Sequence, residues 1–269
     1  FPYRYIDNIV NSKNMGVGRG YAGAVGVLGF LIETPGIYYG RNGYERRVVG
    51  AVTCITSFYD YLNENTEYAK SVILTEQQRI IRDGETYEES DIVVLETEGV
   101  AHSELAYGTP TYNGATGERT GTKTLTPKVY DKVVRSRPAP TAYVIPAGAT
   151  FTGQVLEILR KQNISYTYIP AGSQVMLQGY TGTAQEASLT EELPVVFGSG
   201  AYVVTMDQVG GTLLTHLFEP DMEGGSLVSY GVISAIDGSF PIYRYCHDLN
   251  AAGFIDYTMT DAAAAHVTV

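Results

Sequence analysis

The apolar run at residues 25–32, Val-Gly-Val-Leu-Gly-Phe-Leu-Ile, constrains the fold more than any other stretch of the chain. The run is short, it leads into Glu33, and the turn pair Pro35-Gly36 follows, which is the pattern of a buried strand. A carboxylate at the carboxyl end of such a strand lies at the sheet edge where α/β folds bind ligands, and burial there raises a carboxyl pKa towards the range of a general base. The alternative is a glutamate exposed to solvent or paired with Arg46 or Arg47.

The length, composition and net charge of the chain exclude several classes of protein. With 269 residues, of which 44% are hydrophobic and 17% charged, the chain can form one large globular domain or two ordinary ones. The net charge of -11, with only 18 Lys and Arg and no basic cluster, argues against nucleic acid as a partner. No apolar run approaches the roughly 20 residues that a membrane-spanning helix needs.

The composition favours an extracytoplasmic or secreted bacterial protein. The chain has 22 Tyr and no Trp, it is poor in Lys, and it has many Thr and Gly. It opens with Phe1-Pro2-Tyr3 rather than with Met or a signal peptide, so we expect it to be an internal part of a longer gene product. Cys54 is expected to be a buried thiol, and the pair Cys54 and Cys246 does not establish a disulfide.

The first part of the chain is predicted to contain an irregular loop, the strand and two helices. Residues 1–23 include four spaced glycines and are expected to be mostly irregular. A second helix, at 67–82, is expected to end at Asp83-Gly84, where we place a boundary between domains 1–84 and 85–269. The first helix is expected to start at Tyr44 and to carry an apolar stripe at helical spacing, formed by Val48, Val52, Ile55, Tyr59 and Leu62.

The second part is predicted to be a small domain that mixes helices and strands. A helix is expected at 151–162, and Asp207 is expected to cap a shorter helix that runs to Phe218. The segment 108–126 contains the turn pair Asn113-Gly114 and is predicted to be a hairpin or loop. The succession of strand, helix and strand indicates a small mixed sheet. Strands are expected at residues 91–95, 129–135, 142–146, 164–169, 174–180, 201–205 and 240–245.

Several patterns that carry chemistry are missing from the sequence. None of the four histidines has a partner at the spacing of a zinc site, and no Gly-x-Ser-x-Gly elbow of a serine hydrolase occurs. His247-Asp248 could form an acid–base pair, although neighbours in a turn usually face solvent. The glycines of residues 16–23 precede a strand, whereas a dinucleotide-binding loop follows one, so that class of enzyme is disfavoured. The residues alone therefore assemble no complete active site.

Short segments of the chain nonetheless resemble a known enzyme family. Arg19-Gly20-Tyr21-Ala22-Gly23, then Gly29-Phe30-Leu31-Ile32-Glu33-Thr34, then Tyr44-Glu45-Arg46-Arg47-Val48 resemble the last part of the catalytic domain of zinc metallocarboxypeptidases related to carboxypeptidase A. The resemblance implies a partial carboxypeptidase-like α/β segment followed by a small mixed α+β domain. Later segments are similar to the domain that follows in large bacterial members: Arg137-Pro138 with Ala142-Tyr143-Val144-Ile145-Pro146, Met206-Asp207-Gln208, Leu217-Phe218-Glu219-Pro220 and Pro241-Ile242-Tyr243-Arg244.

The resemblance implies that Glu33 is the general base of a peptidase. In the family, a His-x-x-Glu pair and a later His hold a zinc that activates water and polarises the scissile carbonyl, while the glutamate moves the proton. Arg19 and Tyr21 match substrate-binding positions less closely, and Arg19 would bind a substrate carboxylate. The zinc ligands and the family's Asn-Arg pair are absent from this sequence, so no zinc is expected in the chain alone. The parent protein is expected to hydrolyse peptide or peptidoglycan stem-peptide bonds, and the isolated chain is expected to be inactive.

Other partners and a second function are left open. The missing N-terminal half of the catalytic domain would be one partner, and a truncated sheet edge would favour a homodimer. The alternative function is a non-catalytic binding or interaction module at 85–269, attached to a degenerate peptidase remnant. Tyrosines at alternating strand positions would supply its surface, although such residues usually form a half-buried sheet face: Tyr107, Tyr112, Tyr130, Tyr166, Tyr168 and Tyr180.

Overall fold

The chain combines α-helices with β-sheets whose strands are mainly antiparallel. The computed structural model describes residues 8–9, 17–32, 41, 43–113, 116, 118–235 and 238–250. The helices are α1 (Gly18–Ala24), α2 (Tyr44–Glu64), α3 (Thr66–Glu85), α4 (Thr152–Lys161) and α5 (Gly211–Phe218). The strands are β1 (Asn8–Ile9), β2 (Ile92–Ala101), β3 (Tyr107–Tyr112), β4 (Arg119–Leu125), β5 (Lys128–Pro138), β6 (Ala142–Pro146), β7 (Thr167–Ile169), β8 (Gln174–Gly182), β9 (Ala187–Val196), β10 (Ala201–Thr205) and β11 (Ser239–Tyr245).

The largest sheet has six strands in the order β7-β10-β6-β11-β8-β9. Each pair of neighbours in it is antiparallel. The predicted succession of strand, helix and strand corresponds to β6, α4 and β7, but β10 lies between the two strands. The predicted mixed sheet is therefore an antiparallel one. A second sheet has the order β1-β5-β2, with β1 parallel to β5, and β3 and β4 form the expected hairpin.

The core of the molecule lies on the two faces of the six-stranded sheet. The side chains of β6 alternate between these faces, and Ala142, Tyr143, Val144 and Ile145 are all fully buried. Tyr143 and Ile145 join the cluster that includes α4 and α5, while Ala142 and Val144 join a second cluster on the other face. β6 is apolar along its length because buried side chains pack against both faces of the sheet at this strand.

The apolar run at 25–32 does not form the predicted buried strand. Residues 27–32 adopt neither helix nor strand, and Phe30 and Leu31 are 63% and 57% exposed. A buried strand needs neighbours that accept and donate its backbone hydrogen bonds, and no described strand pairs with this segment. Helix α1 forms in a stretch where an irregular loop was expected from its glycines. The helix is held in place because Ala24 is buried in the core cluster.

Two predicted helices are confirmed, and the predicted start of a third helix is wrong. The helix at Tyr44 and the helix at 67–82 are confirmed as α2 and α3. The expected cap of α5 at Asp207 is wrong, because a turn intervenes and Gly210 stands at the N-terminus of the helix. Strand β9 was not predicted. It contains Pro194, and it is an edge strand, where a residue without a backbone N–H is tolerated.

The contacts divide the chain into two units. The first unit comprises residues 1–12, 29–72 and 97–134, and the second comprises 13–28, 73–96 and 135–269. This division does not coincide with Gly84, and the boundary that the sequence indicates there stays a prediction. Within the described ranges, no helix combines the length and the apolar character needed to cross a membrane.

Candidate functional site

The resemblance assigns a functional role to three residues, and the structure describes two of them, Arg19 and Tyr21. Glu33 lies outside the described residues. Arg19 and Tyr21 both lie on α1, but residues two apart on a helix point to nearly opposite sides, so they do not form one binding surface. The Tyr21 hydroxyl donates a hydrogen bond to Gln162 Oε1 at 2.5 Å, just after α4. Tyr21 thus links two elements of the second unit.

The segment before Glu33 lies against α2 in the first unit. The rings of Phe30 and Phe58 meet edge to face with their centroids 4.5 Å apart. Phe58 adjoins the expected apolar stripe of α2, because it lies three residues after Ile55 and four before Leu62, and none of the helix's residues is buried. Cys54 of α2 is an exposed free thiol rather than a buried one, and Cys246 is also free.

His247 and Asp248 do not act on each other. His247 Nε2 lies 2.6 Å from Glu192 Oε1, whereas Asp248 Oδ1 accepts a hydrogen bond from the backbone N–H of Tyr87 at 2.8 Å. The neighbouring Cys246 thiol is a poor nucleophile, because burial raises its pKa to about 11. Within the residues described, no group of three or more His, Cys, Asp and Glu side chains could hold a metal ion.

A buried cluster of charges is the most unusual feature of the second unit. Arg137 lies on β5, Arg244 lies on β11, and Glu219 and Asp221 follow α5; all four are more than nine-tenths buried. Arg137 Nη1 donates to Glu219 Oε2 at 3.1 Å, and Arg137 Nη2 donates to both carboxylate oxygens of Asp221 at 2.8 Å. Arg244 Nε lies 3.5 Å from Glu219 Oε1. Each buried charge therefore faces an opposite charge, as burial requires.

Further donors occupy the two carboxylates. The Tyr143 hydroxyl donates to Glu219 Oε1 at 2.7 Å, and the backbone N–H of Ala187 donates to Asp221 Oδ2 at 3.2 Å. Arg135 Nη1 also pairs with the Asp221 carboxylate. Neither carboxylate is free to take a proton from a substrate, so we assign this cluster a structural role.

The surroundings of the buried cluster fix the protonation states of Tyr143, Tyr180 and Arg244. Burial, and then the Glu219 carboxylate, raise the pKa of Tyr143 and of Tyr180 well above the usual value, so both phenols stay neutral. Burial would lower the pKa of Arg244, but the attraction of Glu219, together with smaller contributions from neighbouring groups, outweighs it, and the pKa lies above its usual value. Arg137 lies over the ring of Tyr180, 5.7 Å from its centroid. The cluster is thus an ionic cross-link between two strands, β5 and β11, and the segment after α5.

A cavity of about 300 Å³ opens between α3, α5 and the start of β2. Its apolar wall includes Ile80, Val93, Met206 and Met222, all of them buried. Its polar wall is formed by Arg79, Asp83, Asp91, Thr212, Thr215 and His216. An apolar pocket with a few convergent polar groups is the usual form of a small-ligand site.

Three of the six tyrosines suggested for a binding surface, Tyr166, Tyr168 and Tyr180, are partly or fully buried. Tyr180 is 1% exposed and belongs to the core. Tyr166 and Tyr168 are half-buried, and their rings pack on Tyr202 with centroids 5.7 and 5.3 Å apart. Tyr168 and Tyr180 lie on β7 and β8, which is the more ordinary use of tyrosine at alternating positions, and Tyr166 directly precedes β7.

Neither the buried cluster nor the cavity is predicted from the sequence. A signal for the cluster existed, because Glu219 follows the apolar pair Leu217-Phe218 and Arg244 interrupts the apolar strand β11. Charged residues in such surroundings need buried partners. The cavity residues come from α3, β2 and α5, which are distant in the chain, and no local pattern connects them.

The fold and the site define a mixed α/β protein with mainly antiparallel sheets. Comparison of the chain with models of protein families, with curated proteins and with solved structures found no match.

Proposed function

We propose that the chain is the C-terminal part of a zinc metallocarboxypeptidase that hydrolyses peptide or peptidoglycan stem-peptide amide bonds. The support is the order of three segments over residues 19–48, in which the acidic residue Glu33 follows the apolar run and precedes α2. Zinc, held by residues outside this chain, would supply the activated water. Glu33 would take a proton from that water and return it to the leaving amine.

The apolar stripe of α2 is the structural observation that supports this proposal. Val48, Val52, Ile55 and Tyr59 follow the spacing of one helix face and are between 41% and 67% exposed. An amphipathic helix owes most of its stability to packing of its apolar face, so this face needs a cover. The missing half of the catalytic domain would provide it. Phe30, among the exposed apolar residues just before Glu33, would contribute to the same interface.

The coding region immediately upstream of the chain gives the first test. We expect it to contain His-x-x-Glu followed by a further His, because the family binds zinc through that set. An upstream region without that set would contradict the proposal. In the secreted or extracytoplasmic location that we predict, the full-length protein would act on peptides with a free C-terminus.

The surface of α2 is tested by producing the upstream region and this chain together. We expect the two to form a complex, and we expect Ile55→Glu to disrupt it because the substitution places a charge in the apolar stripe. Thr53→Glu is the matched control, since Thr53 is exposed on the opposite side of the same helix. Equal complex formation by both variants would contradict the assignment of this surface.

The role of Glu33 is tested in the full-length protein with zinc bound. Glu33→Gln should lower the turnover of a peptide with a free C-terminus by about 10²–10⁴-fold, the usual contribution of a general base. Glu45→Gln, an exposed substitution in the same region, should leave turnover unchanged. Retained turnover in Glu33→Gln would rule out the general base.

The second candidate is a non-catalytic binding module at 85–269, and the cavity favours it, since most of its lining lies in that range. A full-length protein that lacks upstream zinc ligands and binds a small ligand in the cavity would support this function over the peptidase.

A further inference from the structure

We propose that the cavity between α3, α5 and β2 binds an alkylammonium group, the chemistry of a lysine side chain or of a small aliphatic amine. All of its lining residues belong to the second unit, and the inference does not rest on the proposed peptidase function. Its volume of about 300 Å³ is at the lower end of the range for small-ligand pockets, which suits a ligand the size of one amino acid.

Close approach of two glycines to Met206 shapes one side of the cavity. A Cβ on Gly84 would lie 2.3 Å from the Met206 carbonyl carbon, and a Cβ on Gly211 would lie 2.4 Å from the Met206 oxygen. The end of α3 and the start of α5 can therefore approach the same backbone only because both positions lack a side chain. The shape of the cavity is therefore fixed by the packing of α3 and α5 against the backbone of Met206.

Asp91 supplies the charge that the ligand would meet. Its backbone N–H donates to Glu88 O at 3.0 Å, and its carbonyl accepts from the Ala139 N–H at 2.7 Å, so the position of the residue is fixed. Among the described residues, its carboxylate makes no hydrogen bond or ion pair, and Arg79 acts on it only as a more distant positive charge. By contrast, Asp83 is paired with Arg79 at 2.7 Å and with Arg82 at 3.2 Å. Asp91 is thus the carboxylate of the cavity that is not in an ion pair among the described residues.

The surroundings of Asp91 favour a cation with an apolar stem. The charged groups around it are Asp83, Glu88 and Arg79, and burial, followed by the charge of Asp83, raises its pKa. His216 is the other titratable group in the lining. A second, adjoining cavity shares Asp83 and Asp91 and adds Glu88 and Arg82. The described residues offer no group of three acidic or histidine ligands for a metal ion, so an organic cation fits better. Its aliphatic stem would lie along the buried apolar wall.

The experiment uses three probes and two variants of the whole chain. The probes are N-acetyl-lysine methylamide, 1,5-diaminopentane and the uncharged N-acetyl-norleucine methylamide, titrated by calorimetry. We expect at least one amine to bind and the norleucine compound not to bind, and the stronger amine would distinguish a peptide side chain from a free amine. Asp91→Asn should weaken binding by at least about tenfold, because it removes a charge-assisted contact. Glu89→Gln, an exposed neighbour outside the lining, should bind as the wild type does.

Methyl NMR of the wild-type chain gives a readout that does not depend on a variant. The signals of Met206 and Met222 should shift when an amine probe is added, because both residues line the cavity. The proposal is overturned if neither amine binds, if the norleucine probe binds equally well, if a folded Asp91→Asn variant keeps its affinity, or if the two methionine signals stay unchanged.

Discussion

Replacement of Glu219 by Gln would test whether the buried charge cluster holds the second unit together. Glu219 has 0% exposure and balances two guanidiniums, those of Arg137 and Arg244. In the variant, Arg137 keeps Asp221 as a partner, but Arg244 keeps only the neutral acceptors Gln178 Oε1 and Pro138 O. Removal of one partner from a buried ion pair costs about 3–5 kcal/mol, because the other charge stays buried without compensation. That is a large part of the roughly 5–15 kcal/mol that stabilises a typical domain.

The assay is equilibrium unfolding in urea, followed by far-ultraviolet circular dichroism and by tyrosine fluorescence. The chain has 22 Tyr and no Trp, so tyrosine reports on the fold without interference. Glu157→Gln is the matched control, because Glu157 pairs with Lys161 at 2.7 Å on the exposed face of α4 and this pair contributes little. We expect a lower midpoint for Glu219→Gln with an unchanged slope. A variant as stable as the control would refute the idea that Glu219 compensates a buried charge.

Three further predictions follow from the pKa values. Burial raises the pKa of Asp91 above its ordinary 3.8, so the ionised carboxylate lowers the stability of the fold at neutral pH. Well below pH 3.8, Asp91 is protonated in both the folded and the unfolded chain, and the effect disappears. Asp91→Asn should therefore be more stable than the wild type at neutral pH and equal to it in acid; a difference that is independent of pH would contradict this. Burial raises the pKa of Cys246 from 9.0 to about 11. At about pH 8, Cys246 should therefore react with iodoacetamide about a hundredfold more slowly in the folded chain than in the unfolded chain, and equal rates would argue against burial of the thiol. Tyr143 and Tyr180 should ionise only on alkaline unfolding, measured by ultraviolet difference absorbance, and their titration in the folded chain would be the opposing result.

The elements that depend on local pattern could be predicted from the sequence. The periodic residues of α2 and α4 and the short apolar run of β6 each carry their own signal, and all three were found. The Asn113-Gly114 pair also indicated the hairpin between β3 and β4. In these cases the spacing of side chains along the chain is enough to decide the structure.

The elements that depend on distant neighbours could not be predicted. The run at 25–32 reads as a buried strand, but a strand forms only where another backbone is present to pair with it. Helix α1 depends on the burial of Ala24, and the position of β10 between β6 and β7 depends on residues far apart in the sequence. The cavity around Asp91 has the same origin, since its walls come from separate parts of the chain.

The position of β11 in the six-stranded sheet has a consequence for the order of assembly during synthesis. β11 is the last strand that the structure describes, yet it joins β6 to β8 in the interior of the sheet. Until residue 245 has left the ribosome, the chain can form only the separate pieces β7-β10-β6 and β8-β9. A nascent or prematurely stopped chain would therefore expose unpaired backbone on β6 and on β8 at once, and such edges recruit other chains. This unit completes its fold only after nearly all of it has been made, and it depends on protection from aggregation until then.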